Sequence, residues 1–196
     1  ALILIDYPGF NLRIAKWAKE QEIPVIYYIS PQVWAWKENR VKLIKNCVDK
    51  MLVILPFEKD FYKKWNYEVD YVGHPLVEVI NQFLEENKVA SSAPAIKTIA
   101  LLPGSRKQEI LKKLPVMLEV SSHFPDYQFV VAKAPGIEEN FYNELLSPYK
   151  NVSAVVNQTY ALLSVSSAAL VTSGTATLET ALFAVPEIIC YKGNPV

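Results

Sequence analysis

Short, uninterrupted apolar runs alternate with longer amphipathic stretches along the 196 residues of the chain. In the first half, apolar runs at 1–5, 24–29, 51–55 and 69–72 read as strands. Amphipathic stretches at 11–21, 37–47, 58–65 and 76–87 read as the helices that follow them. The runs are continuously apolar rather than alternating, which suits parallel strands covered on both faces. A strand-then-helix rhythm of this kind makes right-handed crossovers. Residues 87–95 are small, polar and proline-containing, the composition of a linker. The rhythm then restarts, with strands expected near 98–102, 128–132, 151–156, 168–172 and 187–191. The matching helices fall near 106–122, 138–148, 158–164 and 176–184. The pattern predicts an α/β chain of two doubly wound, Rossmann-like parallel-sheet domains facing a cleft. Their expected bounds are 1–88 and 98–196, joined by a linker at 89–97. In such sheets ligands bind beyond the carboxyl ends of the strands, so the residues just after each strand are where chemistry is expected.

Composition narrows the function classes. The chain is 51% hydrophobic, and 20 Lys and Arg balance 20 Asp and Glu. Disorder needs low hydrophobicity and high net charge, and bulk nucleic-acid binding needs a basic excess, so both are excluded. No apolar run approaches the roughly 18 residues of a membrane-spanning helix, although the chain could still sit on a bilayer. Charge is uneven locally: residues 37–64 carry eight Lys and Arg against four acids, and residues 65–90 one Lys against five. Two solvated helix faces explain this, as does a basic stretch that meets an anionic surface. Cys47 and Cys190 stand alone, without metal-ligand spacing, and read as buried reduced thiols of a cytosolic protein. Residue 1 already lies in an apolar run with no initiator Met, and 193–196 follow directly on a strand. The chain therefore reads as a piece of a longer protein.

Five strand-end segments could carry chemistry. In Leu101-Leu102-Pro103-Gly104-Ser105-Arg106, Gly104 permits a tight turn and Ser105 could cap a helix starting at Arg106. Helix N-terminal N–H groups with an adjacent guanidinium suit a phosphate, and a plain turn with a solvated arginine suits the same residues. In Thr172-Ser173-Gly174-Thr175-Ala176-Thr177-Leu178-Glu179, small residues let backbone donors approach an anion, and Glu179 could accept a ribose diol. A capping box would need Ser or Thr at position 176, where Ala stands. Asp6, in Asp6-Tyr7-Pro8-Gly9-Phe10-Asn11, is placed as a general base or as a turn stabiliser. In Ser30-Pro31-Gln32-Val33-Trp34-Ala35-Trp36-Lys37, the tryptophans fit either a lipid-facing surface or core anchors, and Gln32 could bind a sugar. His74, in Val72-Gly73-His74-Pro75, fits a catalytic or a turn role. D-x-D, H-E-x-x-H, G-x-S-x-G and G-x-G-x-x-G are all missing, so metal hydrolysis, α/β-hydrolase and dinucleotide dehydrogenase chemistry lack support.

Taken together, D-x-P-x-F-N, S-P-Q-V-W-A-W, L-P-F-E, V-G-H-P, L-L-P-G-S-R and S-G-T-A-T-L-E stand in one order from Asp6 to Lys192. That order closely resembles the lipid-A-disaccharide synthases, bacterial glycosyltransferases. S-G-T-x-x-L-E is shared more widely among sugar-nucleotide glycosyltransferases. The resemblance implies the two-domain GT-B fold, with an acceptor-side first domain and UDP on the second. It implies transfer of 2,3-diacylglucosamine from UDP to the 6-hydroxyl of 2,3-diacylglucosamine 1-phosphate, with inversion and no metal or other cofactor. It also implies a cytoplasmic enzyme held peripherally on the inner membrane of a Gram-negative bacterium, with a homodimer formed through regions outside this chain. Asp6 matches the family's candidate base, Arg106 its diphosphate-binding arginine, Ser173, Gly174 and Thr175 its phosphate loop, and Glu179 its ribose ligand. Ser105 belongs with that UDP set, and Gln32, Trp34 and His74 with the acceptor or sugar. Tyr7 and Gly9 depart from residues that are often Ala and Asp there. The family's glycine-rich N-terminal segment and C-terminal helices are not in this chain. Two rivals remain: another UDP-sugar enzyme of this fold, such as the peptidoglycan N-acetylglucosaminyl transferase or a UDP-sugar 2-epimerase, and a non-catalytic nucleotide-binding module. S-P-Q-V-W-A-W argues against both named enzymes.

Overall fold

The computed structural model describes residues 1–87 and 97–191. The chain divides into two compact units, Ala1–Glu78 and Val79–Val196. The expected linker at 89–97 lies, but for Lys97, outside the described residues.

The first unit is a four-stranded parallel sheet in the order β1 (Leu2–Ile5), β2 (Val25–Tyr28), β3 (Lys50–Val53), β4 (Asp70–Tyr71). Register runs Leu4 beside Tyr27 and Tyr27 beside Met51. Helix α1 (Pro8–Glu20) buries Leu12, Ala15 and Ala18, a stripe at three-residue spacing. It packs with α3 (Arg40–Cys47), which buries Val41, Ile44 and Cys47, over the strand residues Leu4, Val25, Met51 and Val53. Three details differ from the periodicity. α1 begins at Pro8 rather than near 11, because proline at the first helical position has its φ preset and needs no N–H partner. The helix expected over 37–47 starts only at Arg40, as α3, and a short helix not expected from the periodicity, α2 (Val33–Trp36), precedes it, ending where Lys37 leaves helical geometry at φ −145°, ψ 53°. β4 shrinks to two residues at the sheet edge. Glu58 and Tyr62, on α4 (Glu58–Lys63), are buried against this unit.

α5 (Pro75–Asn87) crosses the division and leads into the second unit. There, five parallel strands run β5 (Thr98–Leu102), β6 (Gln128–Lys133), β7 (Val152–Val156), β8 (Ser166–Thr172) and β9 (Glu187–Cys190) along the chain. In space the order is β7-β6-β5-β8-β9. The chain winds outward from β5 to β7, then returns to β5's other side to add β8 and β9. Neighbouring β5 residues feed separate cores, as alternating strand side chains require. Leu101 joins Phe129, Val131 and the buried face of α6 (Lys107–Ser121). Ala100 and Leu102 join Ala169, Val171 and two leucines of α8 (Thr159–Val165). α7 (Glu139–Leu146) and α9 (Thr175–Leu182) complete the layers. Among the described residues, no helix is long and apolar enough to cross a membrane. Cys47 is buried as expected; Cys190, on β9 at the sheet edge among the described residues, is only partly so.

Candidate active site

The reversal of direction in the second sheet lies between β5 and β8, whose ends pair at Leu102 and Val171. A crevice at the carboxyl ends of the strands is expected at such a switch point. The two loops singled out in the sequence leave from these two strand ends. Ser105, Ser173, Gly174, Thr175 and Glu179 line one cavity of about 310 Å³ there. Gly104 sits at φ 108°, and a Cβ there would lie 2.9 Å from the Glu109 carboxylate and 3.6 Å from Thr172. Gly104→Ala is therefore expected to destabilise the protein by about 1–3 kcal/mol, read by denaturant unfolding. No side chain caps α9, which starts from Gly174 at φ 144°. The Thr177 N–H turns back to the Gly174 carbonyl at 3.1 Å, and the helix N-terminus otherwise faces the cavity that Thr175 and Ala176 line, the setting of an anion site.

Two expectations change here. Ser105 does not cap α6: the helix starts at Lys107 and Arg106 is its N-cap, in extended backbone with no side-chain cap bond. Arg106 does not line the cavity; its side chain is 81% exposed and pairs with Glu109 at 3.1 Å. Glu179 is not part of a capping box, since the N-cap of α9 is Gly174, and its carboxylate instead accepts a hydrogen bond from the Tyr160 hydroxyl at 3.0 Å. Burial, with that bond and the carboxylate's charge, pushes the Tyr160 phenol up to about 12.

The first unit has its own cavity, about 330 Å³, beyond β1, β2 and β3. It brings Asp6 and Gln32 together with Ser30, Trp36 and Glu58. Asp6 and Tyr7 are both left-handed, at φ 45° and 44°, and so is the β-branched Ile29 at φ 62° on the same cavity wall. Each such non-glycine residue costs on the order of 1–2 kcal/mol, and strain of this kind gathers at functional sites. The Asp6 carbonyl is held by the Asn11 side-chain amide at 2.7 Å and by the Tyr27 hydroxyl. Asn11 also donates to the Ile5 carbonyl. None of these bonds uses the Asp6 carboxylate.

Glu58 accepts from the backbone N–H groups of Leu55 at 2.8 Å and Ile54 at 3.2 Å. Burial raises its carboxyl above the ordinary value near 4.5, against those two bonds and the nearby Ser30 and Trp34 donors. A raised acid favours the folded state most below its unfolded value. That contribution is lost as pH climbs through the folded value. Thermal unfolding from pH 4 to 8 should show this loss, and Glu58→Gln should flatten it.

Trp34 packs edge-on against Phe57, with ring centroids 5.0 Å apart, and among the described residues its buried indole N–H has no partner in bonding geometry. Trp36 is 68% exposed, and the Lys37 ammonium stands 4.5 Å from its ring centroid. The two tryptophans therefore divide the anchor and surface roles that the sequence left open. His74 accepts the Leu76 N–H at 3.2 Å in the first turn of α5 and does not line the Asp6 cavity.

A family model described as lipid-A-disaccharide synthetase matches residues 1–196. The chain belongs to the lipid-A-disaccharide synthetase family. Curated relatives named lipid-A-disaccharide synthase include that of Syntrophus aciditrophicus, 42% identical over 97% of this chain and 52% of its own length. That of Nitrosococcus oceani is 44% identical over 98% of this chain and 52% of its own. The chain thus spans about half the length of the curated relatives it matches. Its fold resembles UDP-GlcNAc 2-epimerase from Neisseria meningitidis solved with UDP-GlcNAc. That likeness has a TM-score of 0.64 at 17% identity, over 95% of this chain and 58% of the other.

Within this lipid-A-disaccharide synthetase family chain, the motifs do not point to two cavity-lining polar residues, Lys133 and Glu58, nor to Tyr160, which bonds a cavity residue. Lys133 ends β6 on the second unit's cavity wall, 11% exposed and paired with Glu139 at 2.6 Å. Tyr160 is visible only through its bond to Glu179. Glu58 sat in the L-P-F-E motif, and its position just after a strand was the signal available.

Proposed function

We propose that the intact protein is the inverting glycosyltransferase that joins 2,3-diacylglucosamine from its UDP carrier to 2,3-diacylglucosamine 1-phosphate. The products are the β-1,6 disaccharide 1-phosphate and UDP. The observation that carries this is the meeting of the two phosphate-type loops and Glu179 at the β5–β8 switch point, in a chain of this family. In this reading residues 98–196 form the UDP-side domain and 1–88 the acceptor-side domain. The small loop Ser173–Thr175, with Ser105 and the α9 N-terminus, holds the diphosphate. Arg106 leaves its exposed pairing with Glu109 to meet the charge that develops on the leaving β-phosphate. Glu179 holds the ribose. Asp6 accepts the proton of the attacking 6-hydroxyl, with Gln32 beside it at the acceptor sugar.

The enzyme works from the cytoplasmic face of the inner membrane as a peripheral protein. Exposed Tyr7, Phe10, Trp36 and Phe57, with Lys37 and Arg40 near the Trp36 ring, support this. Aromatic side chains and cations of this kind suit an anionic lipid surface. Trp36→Ala is expected to lower co-sedimentation with anionic vesicles several-fold while leaving UDP binding unchanged.

The activity is tested with the intact protein in detergent, given both lipid substrates and a chelator. Disaccharide detected by mass spectrometry is the expected result. No disaccharide, with soluble UDP-N-acetylglucosamine consumed instead, would move the function to another UDP-sugar enzyme of this fold.

A further inference from the structure

Tyr160 stands at the start of α8, and its hydroxyl donates to Glu179 Oε1 at 3.0 Å. Its ring is clamped by two phenylalanines. Phe83, on α5, lies edge-on at 5.5 Å between centroids, and Phe183, just past α9, lies at 5.4 Å. The two phenylalanines also touch each other at 6.0 Å, so the three rings form a closed cluster. Such a cluster fixes the phenol's position before any ligand arrives, since aromatic rings have few rotamers and large contact area. With the phenol pushed up to about 12, the hydroxyl stays protonated across the working range and remains a donor.

We propose that Tyr160 is a positioning residue that orients Glu179 for both hydroxyls of a ribose diol and so makes the cavity discriminate against deoxyribose. A glutamate on a helix has three rotatable bonds. A partly buried carboxylate left alone would spread over several rotamers. The bond from Tyr160 uses one lone pair of Oε1 and fixes the carboxylate plane. The remaining acceptor sites are then presented as a fork, which matches two adjacent hydroxyl donors better than one. A site built to bond a hydroxyl rejects the analogue that lacks it, because the buried acceptor is left unpaired. Freed to rotate, the carboxylate would serve one hydroxyl nearly as well as two. This inference rests on the reading of Glu179 as a ribose ligand.

The test is calorimetric binding of UDP and of 2′-deoxy-UDP to the intact protein and to Tyr160→Phe. Phenylalanine keeps the ring in its cluster and removes only the hydroxyl. UDP affinity is expected to fall about three- to ten-fold, 2′-deoxy-UDP affinity less, and the ribo-to-deoxy ratio therefore to shrink. In a Glu179→Gln background, Tyr160→Phe should leave the ratio where Glu179→Gln alone puts it. A role confined to packing would leave the ratio unmoved in Tyr160→Phe, and that result overturns the proposal. UDP binding by the unaltered protein with no preference over 2′-deoxy-UDP also overturns it. Failure of the unaltered protein to bind UDP at all would instead overturn the functional reading beneath it.

Discussion

Asp6→Asn in the intact protein is expected to lower turnover by about 10²–10⁴ while leaving UDP affinity and folding unchanged. Asparagine keeps the shape of the side chain and cannot take a proton. The left-handed geometry at residue 6 also tolerates it well, because Asn is among the few side chains enriched there. The local scaffold does not depend on the carboxylate. The bonds from Tyr27 and Asn11 both end on the Asp6 carbonyl, and asparagine retains that carbonyl. The substitution therefore separates chemistry from structure more cleanly here than at most positions. Single-turnover disaccharide formation measures it, and near-normal turnover removes Asp6 from the reaction.

The second large effect is expected at Arg106. Arg106→Ala should weaken UDP binding about ten-fold or more and lower kcat/KM further. The magnitudes decide the direction. An exposed ion pair such as Arg106–Glu109 is worth about 0–1 kcal/mol, so leaving it costs little. A charge-assisted bond to a diphosphate contributes about 1.5–3 kcal/mol, and tenfold in affinity is about 1.4 kcal/mol. Arg106→Lys should recover only part of the loss, since an ammonium has no planar fork to grip two oxygens. Calorimetry with UDP at two salt concentrations checks both. Equal UDP affinity in Arg106→Ala would exclude a contact with the diphosphate.

Element order was the most legible part of the chain. Leu101-Leu102 marks a strand buried on both faces, whereas in the first sheet Met51 and Val53 enter the core, Leu52 between them is only partly buried, and Ile3 and Ile5 of β1 stay exposed, so there the expected cover on both faces is not met. The ends of elements were less so. Nothing in the periodicity shows the short helix Val33–Trp36 or that the next begins only at Arg40, because the break over the solvent-exposed residues 37–39 is a backbone property. The strand-end loops were legible because Gly104 and Gly174 occupy backbone geometry that other residues resist. That the two loops belong to neighbouring strands was not, since adjacency depends on where the chain reverses its winding. Side chains that act through a partner stayed hidden for the same reason. Tyr160 and Glu179 are distant in sequence, and only the packing of α8 against β8 and its neighbours brings them within bonding distance.

The placement of β8 beside β5 also bears on how the second unit assembles. Thr98 lines up with Ser166, so this pairing closes a loop that contains β6, β7 and their helices. Non-local closure of this kind slows folding, and an intermediate that lacks it would have only half of the cavity that the proposed function gives to the nucleotide. If the proposed function holds, ligand would act as a gauge of completed assembly. At 100 times its dissociation constant it would add about 2.7 kcal/mol to the finished state alone. In a cell supplied with sugar nucleotide, chains that close the β5–β8 seam would be held in that state, and those that stall before it would remain open to proteolysis.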